Sequence, residues 1–300
     1  MVSISMGVHM MFAKEYEIIP NPPAPITWDE YAKESYAEYQ LLLETESHNE
    51  RIFQAFFEEN PSFIPGAFEL LGPSGHYPFS QSLISEPEIY GAPFRRFPDF
   101  IWLAQDSLYF TPVFIEIERP SKKTFTDAGV QTADFSQALG QIVEWKAILS
   151  EPENVLNFYK CFNIPDWIRE KTFQPQFALI YGRRSEFEGQ PFLQRKRAQL
   201  VQEGVSLISF DRLHPDPKCD DMLCTKLSQR EYKVKTIPPT YRYSPGTADN
   251  LIIVSGFQEA ISKMKRTTPE RMKFLLDRFT YWHDYASKEH KGIIYPSDCE

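Results

Sequence analysis

Two short runs constrain this chain more than any other part of it. The first is Arg95-Arg96-Phe97-Pro98-Asp99-Phe100. The second is Val113-Phe114-Ile115-Glu116-Ile117-Glu118-Arg119-Pro120, and a polar break, Gln105-Asp106-Ser107, lies between them. Alternation with period two puts Val113, Ile115 and Ile117 on one face of a strand, and Phe114, Glu116 and Glu118 on the other. A carboxylate buried on an apolar strand is costly unless a cationic side chain or a metal ion balances it. Residues from Pro98 to Ala104 read as a neighbouring strand, and the break is short enough for a hairpin. Asp99 is therefore expected to meet Glu116 and Glu118. Three carboxylates at one place suit a hard cation held by oxygens, such as Mg2+. Spacing alone leaves equal room for a half-exposed strand whose glutamates are simply solvated.

The chain has 300 residues, 42% apolar and 15% aromatic, enough for one large core or two smaller ones. A net charge of −9 excludes a polycation that holds nucleic acid by overall charge, so any phosphate contact must be local. Cys161, Cys219, Cys224 and Cys299 form no CxxC pair and have no His at zinc spacing. They read as reduced thiols of a cytoplasmic protein. No run is long enough to span a membrane, and Met1 to Phe12 is too short and too poor in positive charge for a secretion signal.

In chain order, the lead-in ends in a proline-rich stretch, Pro20 to Pro25. Thr27 with Asp29 and Glu30 predicts a helix start, and the helix is expected from Trp28 to Leu43. A second is expected from Ser47 to Glu59, with Ile52, Phe53, Phe56 and Phe57 on one face. Residues 61–97 read as loop, and strands are expected over 98–104 and 108–118. A helix over Thr132 to Leu149 would turn Ala138, Leu139, Ile142, Val143 and Leu149 inward, with Gln137 and Gln141 one turn apart. Asn154 to Phe162 reads as helical, Phe177 to Gly182 as a buried strand, Phe192 to Glu203 as a basic helix, and Val205 to Asp211 as a last strand. Residues 213–250 read as irregular, and the tail as two helices joined near Thr267-Thr268-Pro269. This order predicts an α/β fold, a mixed sheet flanked by helices with helical N- and C-terminal additions.

Asp99 with Glu116-x-Glu118 resembles the PD-(D/E)XK nuclease signature, except that Glu118 stands where a lysine is usual. Glutamate there could serve as general base or as a further metal ligand, and Lys122 or Lys123 could reach back into the site. The wider pattern is more specific. Phe114 to Ser121, the run Ser136 to Trp145, Leu179 to Arg184, the helix around Arg195-Lys196-Arg197, and Ile208 to Leu213 resemble, in that order, the Shedu family. The helix ending in Glu59-Asn60-Pro61 fits as well. The resemblance implies a restriction-endonuclease-like domain over 47–215; outside it the residues read as an extended and helical N-terminal region over 1–46 and an irregular linker with a helical C-terminal region over 216–300. It further implies an Mg2+-dependent DNA endonuclease of bacterial anti-phage defence, acting as a homo-oligomer, with Mn2+ able to substitute. On that reading Asp99, Glu116 and the Ile117 main-chain carbonyl hold metal, with Glu50 as a further candidate. Glu118 activates water, and Gln141, with Trp145 one turn on, supports the site.

Arg95, Arg96, Arg119, Lys122, Lys123, Arg183 and Arg184 would together form a phosphate-binding rim. Any one of these clusters taken alone is more often an ordinary solvated face. The six His lack a metal pattern, and Phe274, Phe279, Tyr281 and Trp282 in the tail read as core or subunit contact. Two other readings stay open. One is a non-catalytic DNA-binding or assembly subunit that keeps the fold. The other is a structural oligomer whose carboxylates only pair with Arg95, Arg96 or Arg119.

Overall fold

The computed structural model describes residues 13–70, 75–88, 97–288, 290, 292–295 and 297–300. Met1 to Phe12, read above as no secretion signal, and the candidate phosphate contacts Arg95 and Arg96 lie outside the described residues. Among the described residues no helix is long and apolar enough to cross a membrane.

The first helix, α1 (Trp28–Thr45), starts where the Thr27 side chain accepts from the Glu30 N–H. This is the expected cap with acid in the first turn. The second, α2 (Glu50–Glu59), is shorter than expected at its start. Its Phe53, Phe56 and Phe57 interlock with Tyr39 and Phe63, and the Phe56 and Phe63 rings meet edge to face with centroids 5.0 Å apart. Edge-to-face packing of this kind adds to the area the rings bury.

Nine strands form one mixed sheet among the described residues: β1 (Ser82–Ser85), β2 (Phe100–Gln105), β3 (Tyr109–Ile117), β4 (Thr172–Phe173), β5 (Gln176–Ile180), β6 (Val205–Ile208), β7 (Leu223–Ser228), β8 (Glu231–Thr236) and β9 (Val254–Ser255). Their spatial order is β6-β5-β3-β2-β1-β7-β8-β9, with β4 beside β3. The expected hairpin is β2–β3, antiparallel with Phe100 opposite Ile115. Its turn is tight because the Asp106 carboxylate accepts from the N–H groups of both Leu108 and Tyr109, at 2.7 Å each. β3, β5 and β6 run parallel, so their carboxyl ends share one edge of the sheet.

The β3 alternation is realised. Val113, Ile115 and Ile117 face the aromatic cluster of α1 and α2. Phe114 faces α3 (Ala133–Leu149), where its ring lies 6.3 Å from that of Trp145. Helix α3 buries Phe135, Ala138, Ile142, Trp145 and Leu149. Val143 was expected inside and is 48% exposed, because Trp145 supplies the inward contact on that turn. Helices α4 (Pro152–Cys161), α5 (Asp166–Arg169), α6 (Pro191–Ala198), α7 (Asn250–Ile253), α8 (Phe257–Ile261) and α9 (Pro269–Ala286) complete the chain. In α9 Trp282 is fully buried and its Nε1 donates to Glu300 Oε2 at 2.9 Å, while Phe274, Phe279 and Tyr281 pack on the same core.

Four expectations need correction. The basic helix ends at Ala198 rather than Glu203, since the chain must turn through Gly204 at φ 70° to enter β6. The last strand of that region stops at Ile208, and Phe210–Arg212 forms a 3-10 turn. Residues 213–250 are not irregular throughout, because β7 and β8 form a hairpin and β7 pairs parallel with β1. The two residues of its turn, Gln229 and Arg230, have φ of 51° and 68° without a Gly or Asn to announce them. Strand β1 falls within residues 61–97, which read as loop from their glycines and prolines. Ser82 bonds Thr225 at 2.9 Å and Ser85 donates to Glu58 at 2.5 Å, which satisfies them inside.

Left-handed backbone costs non-glycine residues roughly 1–2 kcal/mol each. The double change Gln229→Asn with Arg230→Gly should therefore raise stability by about 1 kcal/mol after the entropy lost at glycine. Denaturant midpoints of the two proteins would check it, and an unchanged or lowered midpoint would count against this turn geometry.

Candidate functional site

Continuing the β2–β3 register one step beyond Phe100 and Ile115 brings Asp99 opposite Glu116. Both lie on the α3 side of the sheet, as Ile101 and Phe114 do. Asp99 Oδ2 accepts from the Ile117 N–H at 2.7 Å, and the Asp99 carbonyl accepts from the Glu86 N–H at 2.8 Å. The aspartate is thus fixed both by the strand pair and by the exit of β1.

Glu116 is buried, 8% exposed, and its Oε2 accepts no hydrogen bond. Burial pushes its carboxyl well above the usual carboxylate range, and the charges of Asp99, Glu118 and Glu50 push the same way. The Gln141 amide, reaching in from α3, draws it partly back. Burial likewise raises Asp99 to about 8; the Ile117 N–H opposes this, and Glu50, Glu118 and Glu86 add to it. Glu50, in the first turn of α2, is raised by burial and by Glu118, with which its side chain also hydrogen-bonds. Four carboxylates therefore feel one another, and the structure brings Asp99, Glu116, Glu118, Glu50 and Gln141 into one place.

Glu118 continues the β3–β5 ladder, donating its N–H to the Ile180 carbonyl at 3.0 Å. Its Oε2 accepts from Lys122 Nζ at 2.5 Å, and both side chains are largely shielded from water. The loop that carries Lys122 is held from several sides. Glu186 accepts from the N–H groups of Thr124 and Phe125 at 2.9 and 2.8 Å. The Lys123 carbonyl accepts from Thr132 Oγ1 at 2.8 Å, and Ser121 N–H donates to the Ser47 carbonyl at 3.1 Å. Gly182, at φ +63°, lets the loop approach, since a Cβ there would stand 2.7 Å from the Lys122 carbonyl. Sequence reasoning missed Gly182 and Glu186 as the parts that place this lysine. The only local signal was the glycine closing the Leu179-Ile180-Tyr181 run.

The other candidates lie differently. Trp145 is in the core under Phe114, away from solvent. Lys123 is exposed and pairs with Asp127 at 3.6 Å. Arg183 pairs with Asp211 at 2.8 Å and reaches the Leu43 carbonyl at 3.4 Å. Arg184 is exposed while its N–H donates to Asp211 Oδ2 at 2.5 Å. Arg119 is half-buried and its charge acts on Glu50. Among the described residues, no Lys or Arg forms an ion pair with Asp99 or Glu116.

Among the described residues no three His, Cys, Asp or Glu side chains already form a ligand set. The donors present nonetheless fit a cation of the Mg2+ type. Such an ion takes one or two carboxylates and keeps water or phosphate oxygens for the rest. Asp99 and Glu116 supply two facing carboxylates, and the Glu116 Oε2 has no other partner. A buried acceptor left unpaired costs about 1–3 kcal/mol, and a cation there would remove that cost.

The raised Asp99 sets a pH dependence. A carboxyl of ordinary value 3.8 held at about 8 in the fold binds its proton more tightly folded than unfolded. Stability from this group is therefore full below about pH 4 and is lost as pH rises toward 8. In the presence of EDTA, Asp99→Asn should raise the melting temperature at pH 8 by several degrees and change it little at pH 4. An equal shift at both pH values would contradict the burial argument.

A family model described as Shedu protein SduA, C-terminal, matches residues 47–214. No curated protein matches the chain.

Proposed function

The chain belongs to the Shedu family, whose members are implicated in defence against phage, and we propose that it is a metal-dependent DNA endonuclease with the PD-(D/E)XK architecture. The observation that carries this reading is the Glu116 carboxylate, buried beside Asp99 with an oxygen that no protein group engages. Structural economy gives no reason to keep two such groups on an apolar strand pair.

Asp99 and Glu116 would hold Mg2+, or Mn2+ in its place, with the Ile117 carbonyl as the proposed third protein ligand. When bound, the ion supplies charge neutralisation on the scissile phosphate and a nucleophilic water at neutral pH. The chain's own residues do the rest. Glu118 accepts the proton of the attacking water as general base. Lys122, paired with Glu118, keeps that carboxylate aimed. It also brings a positive charge close to where the phosphate must sit, from four residues beyond the position where a lysine is usual. Gln141 holds the Glu116 carboxylate in orientation, and Arg119 with Lys123 steers the DNA backbone. We propose a homo-oligomer as the working form.

A second reading rests on the glutamate at the third position of the triad. On it the chain is a DNA-binding subunit that keeps the fold without cleaving. It would bind DNA with strong salt dependence and leave plasmid intact in Mg2+ and in Mn2+. A gain of cleavage in Glu118→Lys over an inert parent would favour it.

Supercoiled plasmid with Mg2+ tests the first reading. Glu116→Ala should lower nicking by about a hundredfold or more while circular dichroism stays unchanged. Lys122→Ala should cost a comparable factor, and the exchange Glu118→Lys with Lys122→Glu should recover part of it. Undiminished nicking in Glu116→Ala would remove the assignment. Full activity in Lys122→Ala would remove only the role given to the lysine.

A further inference from the structure

A second cluster of unbalanced charge lies on the same edge of the sheet, two strands away from Glu118. A cavity of about 260 Å³ opens beside the edge strand β6, between α6 and the turns that follow β5 and β6. Arg184, Arg197 and Arg212 line it over an apolar floor that includes Phe187, Val201 and Leu207. Among the described residues none of the three arginine side chains forms an ion pair. Glu186, the carboxylate whose charge acts on Arg197, gives its oxygens to the Thr124 and Phe125 N–H groups.

Arg197 is the most enclosed of the three. Its guanidinium lies 5.3 Å from the centroid of the Phe187 ring, and its Nε is buried without a hydrogen-bond partner. Burial and the charge of Arg212 both disfavour its cationic form, against the pull of Glu186. Among the described residues the three arginines line one cavity without an ion pair, although the charge of Glu186 acts on Arg197 and that of Arg212 on Glu69. Asp211 fixes the geometry. It bonds Arg183 Nε and the Arg184 N–H, at 2.8 and 2.5 Å, and so ties the turn after β5 to the turn after β6. The cavity continues into a larger cleft of about 790 Å³ that shares Arg184, Val201, Leu207 and Arg212 and is lined further on by Glu69, Asp211 and Asp216.

We propose that the Arg184–Arg197–Arg212 cavity is a phosphate-binding pocket for a nucleotide unit, separate from the Asp99–Glu116 centre. Guanidinium forks match phosphate oxygens bidentately, and such charge-assisted bonds are about twice as strong as neutral ones. Phosphate oxygens would satisfy the buried Arg197 Nε and offset the mutual repulsion of the three cations. The apolar floor beside them suits a sugar or base. The same chemistry is presented by a free nucleotide and by a phosphate of a nucleic-acid strand. The pocket requires no metal and no cleavage, so it stands or falls apart from the endonuclease reading.

The test is calorimetric titration of the full chain in EDTA with deoxyadenosine 5′-monophosphate, with deoxyadenosine, and with a short single-stranded oligonucleotide. Expected are binding of the monophosphate, no binding of the nucleoside, and affinity for the monophosphate lowered about tenfold in each of Arg197→Gln and Arg212→Gln. Arg184→Gln, at an exposed position, gives a variant whose folding is not at risk, and it should weaken binding in the same direction. If the three variants weaken the oligonucleotide equally, the natural source is a strand phosphate. If they weaken only the monophosphate, it is a free nucleotide. Absence of phosphate-dependent binding in the parent, or binding unchanged in all three variants, overturns the proposal, whatever the plasmid assay shows.

Discussion

Two carboxylates on the inner face of a central strand pair set the terms for everything around them. Taking such groups from water costs several kcal/mol each unless the surroundings compensate. Here compensation is partial. Asp99 receives one backbone N–H from Ile117, Glu116 interacts with the Gln141 amide, and one Glu116 oxygen receives nothing. The opposite face of the same strands, from Phe100 to Ala104 and from Val113 to Ile117, is apolar and locked against the rings of α1 and α2. The hairpin therefore cannot rotate its charges outward without exposing Val113, Ile115 and Ile117. Packing on one face enforces an electrostatic cost on the other, which is how a functional site holds groups in a state they would not choose in water.

The loop after β3 solves a different problem. Glu118 sits at the rim of this negative cluster, and a further bare carboxylate would deepen the repulsion. Lys122 removes it. An exposed ion pair is worth little, but this one is shielded and held in place by the Glu186 bonds to Thr124 and Phe125 and by the close approach at Gly182. Its value lies in placement more than in stability. The positive charge is delivered by tertiary contacts from the loop instead of by the strand itself.

What could be read from the sequence follows from what is local. The β2–β3 pair, the face carrying Glu116 and Glu118, and the helix starts near Thr27 and Thr132 all announce themselves through period and composition. Strand β1 did not, because it lies among the glycines and prolines of residues 61–97, and its Ser82 and Ser85 are satisfied by Thr225 and Glu58 from far along the chain. The β7–β8 hairpin did not, because Gln229 and Arg230 take left-handed backbone without glycine. Glu50 was legible as a helix-start acid and, through the resemblance, as a further candidate metal ligand. Its approach to Glu118 depends on how α2 docks, and no local pattern encodes that. Lys122 was legible as a candidate, whereas the parts that hold it lie at positions 182 and 186, on a different strand and turn.

The parallel run of β3, β5 and β6 explains why so much chemistry lies along one line. Parallel strands end on the same side, and the loops that leave them share an edge. Glu118 and Lys122 leave β3, Arg183 and Arg184 leave β5, and Asp211 and Arg212 leave β6. An antiparallel arrangement would have sent every second loop to the far edge and divided these charges between two sides of the molecule. With the present topology an acidic centre and a cationic pocket become neighbours two strands apart, joined by Asp211 bridging the β5 and β6 turns. On the proposed reading, a polyanion lying along that edge would meet the acidic centre first and the arginines of the cavity further on. A chain of net charge −9 can therefore still present a local path for phosphates.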